Sequence, residues 1–310
     1  MAEITAAMVK DLREKTGAGM MDCKAALTET KGDMEVAVDW LRKKGLAKAA
    51  KKAGRVAADG LIGIVAEGKT AAVIEVNSET DFVARNAAFQ EMVTAIAKLA
   101  VKAGGSLEKL KMAHYPGSTH AVEAHLKEMV ATIGENMTLR RTAVLTVKDG
   151  AVATYVHSAV TPQLGKIGVA IALESKGDQA KLTDLGRKLA MHIAAANPLA
   201  VTEQELDPAV IARERAIYED QAQQSGKPAE IAAKMAEGRL RKEFFQQAVL
   251  LQQVYVIDGK DSVEKVLKAA EKEVGAPVKV AGFIRYALGE GIDKPTGDDF
   301  ATEVAAMSKS

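Results

Sequence analysis

The chain has 310 residues, of which 48% are hydrophobic and 27% are charged, a balance typical of folded globular domains. Lys and Arg (42) nearly equal Asp and Glu (41), so the net charge of +1 provides no overall attraction to nucleic acids or anionic membranes. The single cysteine, Cys23, excludes an internal disulfide framework and a four-cysteine zinc site. We expect Cys23 to be a small buried residue of a helix.

Targeting signals are not evident in the sequence. The first residues contain no basic region followed by an apolar run, and no stretch reaches the roughly 20 apolar residues of a transmembrane helix. We therefore expect a cytoplasmic protein without a membrane segment.

The first 55 residues predict a small bundle of three helices. Thr5 suits the N-cap of a first helix that ends at Gly17, Asp22 begins a second helix, and Asp33 caps a third. Such short helices are marginal in water, so they must pack on each other or on a partner.

A basic stretch closes this region. Seven basic residues and no acidic residue lie between Arg42 and Arg55. The pattern favours a solvated linker helix, and the alternative is a surface for phosphate groups or for an acidic partner.

Two strands followed by a helix occur twice in the middle of the chain. In the first copy, strands flank a turn at Gly68-Lys69, and a helix follows with Phe89, Met92, Val93, Ile96 and Leu99 on one face. About 97 residues later, Gly165-Lys166 takes the place of the turn, and apolar positions match across the two copies. The pattern predicts a duplicated α+β unit.

The remaining elements are predicted as follows. A helix at 121–134 and a strand at 143–147 lie between the two copies, a strand ends in the turn Asp258-Gly259, and another strand covers 278–288. Asp207-Pro208 begins a long helix, and Gly226-Lys227-Pro228 leads into a second. Their few large apolar residues predict a thin antiparallel coiled-coil arm packed through Ile217, Tyr218, Ile231 and Met235.

The segment 63–70 matches the phosphate-loop pattern G-x-x-x-x-G-K-[ST] letter for letter. That motif requires a helix to begin at its lysine, whereas the residues after Thr70 are typical of a strand. We therefore predict a hairpin turn at Gly68-Lys69 and no direct nucleotide binding.

Other enzymatic sites are not indicated either. His114, His120 and His125 are spaced six and five residues apart, which does not place two imidazoles on one helix face. The sequence predicts no catalytic residue, no metal site and no cofactor.

The segment Thr80-Asp81-Phe82-Val83 joins a predicted strand to a predicted helix. Asp81 can cap that helix, and Phe82 lies seven residues before Phe89, so Phe82 could simply extend the apolar stripe. The corresponding pair in the second copy is Asp178-Gln179, which lacks the aromatic ring. A phenylalanine that the repeated unit does not require is a candidate anchor for a partner pocket.

The chain resembles the bacterial elongation factor Ts family over nearly its whole length. The resemblance lies in Thr16–Lys24, Ala49–Gly54, Ala57–Gly60, Thr80–Asn86, Met191–Ala195, Ser225–Pro228 and Gly282–Arg285. Asp59, where Glu is frequent, and extra residues at 104–120 and 161–165 depart from the family pattern.

This resemblance implies an α+β fold with four parts. They are an N-terminal ubiquitin-associated-like helical domain with a basic linker (1–55), a first core half (56–148), a second core half (149–290) with a coiled-coil arm at about 207–245, and a C-terminal helical module (291–310). The resemblance is compatible with a homodimer.

The resemblance also implies a function, which is guanine nucleotide exchange on elongation factor Tu during translation. Asp81 and Phe82, with Thr80 and Val83 fixing their approach, would enter the GDP-bound partner near its magnesium and nucleotide site and loosen GDP. Further contacts are implied for a larger set of residues: Leu12, Thr16, Gly17, Gly19, Met20, Met21, Lys24, His157, Phe300, Val304 and Met307. The rival hypotheses from the residues alone are a nucleotide-hydrolysing enzyme that uses 63–70 and an RNA-binding module that uses 42–55.

Overall fold

The computed structural model describes residues 4–226 and 228–293, which form a mixed α/β fold. The predicted terminal helix with Phe300, Val304 and Met307 lies outside the described residues, as does Lys227 of the predicted turn.

Three helices make up the N-terminal region: α1 (Ala6–Thr16), α2 (Met20–Glu29) and α3 (Met34–Lys52). The predicted caps are confirmed. Thr5 accepts a hydrogen bond from the Met8 amide, Asp33 accepts one from the Val36 amide, and Gly17 ends α1 in the left-handed conformation with φ of 67°. The second helix begins at Met20 and not at Asp22, because the Gly19 backbone serves as its N-cap.

These three helices share an apolar core. Leu12, Cys23 and Leu27 are completely buried in it, and Trp40 packs against it from the side. The prediction that Cys23 is a small buried helix residue is therefore confirmed.

Within the described residues, the strands that follow the N-terminal helices are β1 (Asp59–Glu67), β2 (Thr70–Ser78), β3 (Met137–Thr146), β4 (Gly150–His157), β5 (Leu164–Gly165), β6 (Ile167–Glu174) and β7 (Lys279–Ala287). They form two sheets, with strand orders β3-β2-β1-β5 and β4-β6-β7. The remaining helices are α4 (Asp81–Ala84), α5 (Ala87–Ala103), α6 (Leu107–Met112), α7 (Val122–Ile133), α8 (Gln179–Ala196), α9 (Pro208–Gln224), α10 (Ala229–Arg239), α11 (Phe245–Ala248) and α12 (Val263–Val274).

Strand, strand and helix do occur twice, but the connections differ. In the first copy a two-residue turn at Gly68-Lys69 joins β1 to β2, as predicted. In the second, β4 pairs antiparallel with β6 and residues 158–166 connect them, so Gly165-Lys166 is not the hairpin turn that the repeat predicted. The reason is that Leu164 and Gly165 pair as the edge strand β5 instead.

Buried positions nevertheless match across the two copies. Ile74 and Ile171 are both completely buried, as are Ile96 of α5 and Ile193 of α8. This agreement supports the predicted duplication, which itself stays a prediction.

The helices α9 and α10 pack on each other, with Asp207 and Pro208 at the start of α9 as predicted. The predicted packing residues are mostly wrong, because Ile217, Ile231 and Met235 are exposed and only Tyr218 is partly buried. Alanines take their place: the buried residues of the two helices are Ala222, Ala232 and Ala236. Small side chains let the two backbones approach closely and turn the larger side chains outward.

Residues 254–258 do not form the predicted strand. Val254 makes a single β-bridge with Ser262, and the Asp258 carboxylate accepts hydrogen bonds from the amides of Lys260 and Asp261. These local bonds fold the segment into a turn. The predicted strand at 278–288 is confirmed as β7.

A buried histidine stabilises the same region. His192 on α8 is completely buried, its Nδ1 accepts from the Val256 amide at 3.2 Å, and its Nε2 lies 2.8 Å from Gln253 Oε1. An amide oxygen can only accept, so Nε2 donates and the ring is neutral. Burial lowers the pKa of His192 further than the hydrogen bond that it donates to Gln253 raises it.

Contacts divide the described residues into two compact units. One comprises 4–63, 74–142 and 287–293, and the other comprises 64–73 and 143–286 with Lys227 left aside. The domain boundaries predicted from the sequence stay predictions. In the described parts of the chain, none of the helices is both long and apolar enough to cross a membrane.

Candidate partner-binding site

The segment Thr80–Val83 lies where β2 ends and the one-turn helix α4 begins. Thr80 is the N-cap residue of α4, with an extended backbone (φ −128°, ψ 161°), and Asp81 and Phe82 are the first two helical residues. On the inward face, Val83 is 3% exposed and Ala84 is 9% exposed, so they attach this turn to the protein core.

Phe82 points away from the core and is 74% exposed. The interpretation that Phe82 extends the apolar stripe of α5 is therefore wrong, because the buried face of α5 begins at Phe89. A phenyl ring this exposed has most of its apolar surface available to a partner.

Asp81 does not cap a helix, contrary to the prediction. Its carboxylate accepts a hydrogen bond from the Arg85 guanidinium at 2.9 Å, and both side chains are largely exposed. The helix that follows is capped by Asn86, whose side chain accepts from the Phe89 amide. In the second copy Asp178 does cap α8, and its bonds from the Lys181 and Ala180 amides lower the pKa of its carboxyl group.

Two glutamates hold the start of α4, and neither was predicted from the sequence. The Glu135 carboxylate accepts bonds from the Thr80 amide (3.0 Å) and the Thr80 hydroxyl (2.8 Å). The Glu79 carboxylate accepts a bond from the Asn136 amide at 2.5 Å. For Glu79, its position next to Thr80 was the one available signal. Glu135 is 55 residues away from Thr80, and no sequence pattern connects the two.

The N-terminal candidates gather around the turn between α1 and α2. Thr16 is partly buried, and the exposed members are Gly17, Gly19, Met20, Met21 and Lys24. Met21 is 78% exposed, which is unusual for a large apolar side chain. Among the described residues, no hydrogen bond or ion pair joins this group to Thr80–Val83.

Leu12 is the exception in this group. It is completely buried in the three-helix core, so it stabilises the fold and is not a surface contact. Its position in the helical pattern of α1 was the available signal.

Asp22 connects α2 to the basic stretch. Its carboxylate pairs with Lys48 at 2.9 Å and Lys44 at 3.3 Å, and the hydrogen bond from Lys48 is the main reason that the pKa of Asp22 is lowered. Thr16 and Gly19 lie beside these lysines along a cavity of about 290 Å³.

Most of the basic stretch has partners within the protein. Arg42 pairs with Asp39, Lys52 donates to the Gly134 carbonyl, and Arg55 pairs with Glu79. Together with Lys44 and Lys48, five of the seven basic residues between Arg42 and Arg55 are engaged. The interpretation of this stretch as a linker is favoured over an RNA-binding surface.

His157 is the last residue of β4 and is exposed. Its Nδ1 lies 3.2 Å from the Tyr155 hydroxyl, which orients the imidazole. It belongs to the second unit, whereas Thr80–Val83 and the N-terminal group belong to the first.

The phosphate-loop pattern at 63–70 is a hairpin, as predicted. Lys69 begins no helix, and its Nζ donates to the Lys148 carbonyl at 2.6 Å. Gly63 has a packing role, because a Cβ there would lie 3.1 Å from the Val93 side chain of α5. The geometry that binds phosphates is therefore absent from the described segment 63–70.

Two of the three neighbouring histidines have ordinary contacts. His120 and His125 both face Glu128, at 3.0 and 3.6 Å, and His125 stacks on Tyr115. Burial is the main reason that the pKa of His125 is lowered, while the neighbouring Glu128 carboxylate acts in the opposite direction. Within 4–226 and 228–293, no group of three or more His, Cys, Asp or Glu residues is arranged to hold a metal ion.

Comparison with known proteins assigns the family. Residues 79–290 match the family model described as elongation factor TS. The chain is 62% identical over 309 residues to elongation factor Ts of Parvibaculum lavamentivorans, and the match covers 100% of both chains. It is 60% identical over 308 residues to elongation factor Ts of Rhodospirillum centenum, covering 99% of this chain and 100% of that one. With a family model matched over more than half of its length and full-length relatives at this identity, the chain belongs to the elongation factor Ts family.

Proposed function

We propose that this protein is a guanine nucleotide exchange factor that binds elongation factor Tu in its GDP-bound and nucleotide-free forms and accelerates GDP release. The mechanism is thermodynamic linkage. A protein that binds the nucleotide-free partner more tightly than the GDP form weakens GDP binding by the same factor. No covalent bond is made or broken, so the protein acts without catalytic residues or a cofactor of its own.

The observation that carries the proposal is the exposure of Phe82, which is 74% exposed at the start of a helix whose other face is attached to the core. Moving an exposed apolar ring from water into a partner pocket is favourable, by about 1.5–3 kcal/mol for complete burial. That free energy is available only in the complex, where it can oppose GDP binding.

Asp81 acts by charge in this proposal. A carboxylate brought near a magnesium and nucleotide site disturbs the ligands and phosphates around the ion. The exposed ion pair with Arg85 is weak, about 0–1 kcal/mol, so Asp81 can exchange it for a partner group. Thr80 and Val83 fix the direction in which Asp81 and Phe82 approach.

Further contacts extend the interface. The exposed group around Met20 and Met21, with Thr16, Gly17, Gly19 and Lys24, would hold the nucleotide-binding domain of elongation factor Tu, together with Phe300, Val304 and Met307 of the C-terminal module. His157 would face another domain of that partner.

The finer architecture belongs to the same proposal. It comprises a ubiquitin-associated-like domain at 1–55, a two-part core, a coiled-coil arm at about 207–245 and a C-terminal module at 291–310. The packing of α9 on α10 supports the arm. A cytoplasmic location follows from a partner that works in translation, and the proposal is compatible with a homodimer.

Release of fluorescent GDP from purified elongation factor Tu tests this function. We expect the rate to rise with the concentration of this protein and to saturate, since release then occurs from a complex. Equilibrium binding of GDP and ATP to this protein alone is the control. An unchanged release rate would contradict the proposal, and tight magnesium-dependent nucleotide binding by this protein would favour the enzyme hypothesis.

A further inference from the structure

Two loops of the first unit hold each other through a reciprocal pair of carboxylates. One is the residue pair Glu79-Thr80 between β2 and α4, and the other is Glu135-Asn136 between α7 and β3. Glu135 accepts two bonds from Thr80, and Glu79 accepts one from the Asn136 amide. We name these four residues the carboxylate clasp.

Every polar group of Thr80 has a partner. Its amide and hydroxyl both donate to Glu135, and its carbonyl accepts a bond from the Ser78 hydroxyl at 3.0 Å. Hydrogen bonds to a carboxylate are stronger than bonds between neutral groups. The residue directly before Asp81 is therefore held on all sides.

The helix that carries Phe82 cannot position itself. It has four residues, and a single helical turn is unstable without tertiary contacts. Its N-cap residue makes no side-chain capping bond, because the Thr80 hydroxyl is directed to Glu135. Val83 and Ala84 attach the inner face, so the clasp is what sets the direction of the outer face.

The loop that contains Glu135 and Asn136 is itself held by other contacts. Asn136 donates its side-chain amide to the Arg55 carbonyl at 2.7 Å, and Arg55 in turn pairs with Glu79 at 3.4 Å. The loop that contains Glu135 is thus tied to two other segments, and Glu135 offers Thr80 a fixed acceptor.

From this geometry we infer that Glu135 is a positioning residue for Asp81 and Phe82, acting through Thr80. The inference rests on the proposed function of Asp81 and Phe82. Glu135 itself need not touch the partner. Its role is to hold the start of α4 so that the phenyl ring and the carboxylate arrive together in one orientation.

A positioning role and a merely structural role predict different kinetics. A variant that is partly unfolded has less active protein, so its half-saturating concentration rises while its maximal GDP release rate stays the same. A variant with a loose α4 still binds through its other surfaces, so its half-saturating concentration is nearly unchanged while its maximal rate falls. Misplacement by about 1 Å can cost up to roughly 100-fold in rate.

The decisive variant is Glu135→Ala, which removes the acceptor oxygens of both the Thr80 amide and the Thr80 hydroxyl. We expect its maximal GDP release rate to fall roughly 10-fold with little change in half-saturation. Thr80→Val, which removes the hydroxyl donor, should lose rate in the same way, and Thr80→Ser should restore most of that loss. Glu108→Ala is the matched control, since the Glu108 side chain is 79% exposed on α6 and pairs locally with Lys111.

Hydrogen exchange of the Thr80 amide provides a readout that does not depend on the partner. We expect this amide to be protected in the unaltered protein and to exchange faster in Glu135→Ala. A wild-type maximal GDP release rate in Glu135→Ala would overturn the inference while leaving the proposed role of Phe82 in GDP release intact. If the unaltered protein does not accelerate GDP release at all, the proposed function fails and this inference fails with it.

Discussion

Replacing Phe82 by Ala tests the central claim about the site. The ring is 74% exposed in the free protein, so its removal leaves no cavity in the core. Exposed substitutions of this kind usually change the free energy of unfolding by no more than about 0.5 kcal/mol. The variant should therefore fold normally, and any loss of exchange activity reports on the complex.

The size of that loss follows from the exposed area. Complete burial of a phenylalanine side chain is worth about 1.5–3 kcal/mol, so the exposed three quarters can contribute about 1–2 kcal/mol in a partner pocket. Since about 1.4 kcal/mol corresponds to a factor of ten in rate, the maximal GDP release rate should fall roughly 5- to 30-fold.

The assay is release of fluorescent GDP from elongation factor Tu over a range of concentrations of each variant. Met112→Ala is the matched control, because Met112 is 71% exposed and lies on α6, outside the proposed interface. An unchanged maximal rate for Phe82→Ala, with wild-type thermal unfolding, would refute the assignment of Phe82.

Three further predictions concern stability and are checked by urea unfolding. Leu12→Ala should lower the free energy of unfolding of the N-terminal helices by about 2–5 kcal/mol, because the side chain is completely buried; a change below 1 kcal/mol, on the order of a surface substitution, would contradict that packing. Asp178→Ala should lower the free energy of unfolding measurably, because two amides at the start of α8 lose their acceptor, whereas Asp81→Ala should lower it less because it breaks only an exposed ion pair. Equal costs for these two variants would contradict the capping assignments. Burial lowers the pKa of His192 in the folded state, so the unfolded chain binds the proton first as pH falls below about 6.5. The free energy of unfolding should therefore decrease as the pH is lowered through this range. His192→Gln should show a weaker pH dependence between pH values of about 7.5 and 5.5, and an identical dependence would rule out His192 as its source.

Local sequence signals predicted those features that are decided locally. The caps at Thr5 and Asp33 need only a hydroxyl or carboxylate two or three residues before a free amide. The turn at Gly68-Lys69 needs only a glycine with positive φ between two runs of strand-forming residues. Such features depend on neighbours in the chain, so one sequence suffices.

The departures arise where distant residues compete for the same group. Asp81 is a residue type that often caps helices, and it lies just before a predicted helix. In the structure Thr80 is the N-cap residue of α4, and its hydroxyl bonds to Glu135, 55 residues away. Asn86 then caps the longer helix directly. The sequence separation between Glu135 and Thr80 follows no pattern that predicts a contact, because the contact exists only after both loops have formed.

The packing residues predicted for α9 and α10 were chosen by the usual preference for large apolar side chains at helix interfaces. Large apolar residues such as Ile217 and Ile231 are the usual candidates for a helix interface, yet Ala222 and Ala232 are buried instead. For Phe82, spacing alone allowed either a buried or an exposed ring, and only the direction of α4 distinguishes them.

The lone buried cysteine gives this protein an intrinsic chemical probe. Cys23 is the single thiol of the chain, and it is completely shielded by α1, α2 and α3. Thiol reagents can reach it only when these helices separate, and the labelling rate then measures how often they do so. Labelling in the presence and absence of a bound partner would therefore show whether association makes the N-terminal helices separate less often. The measurement needs no engineered tag.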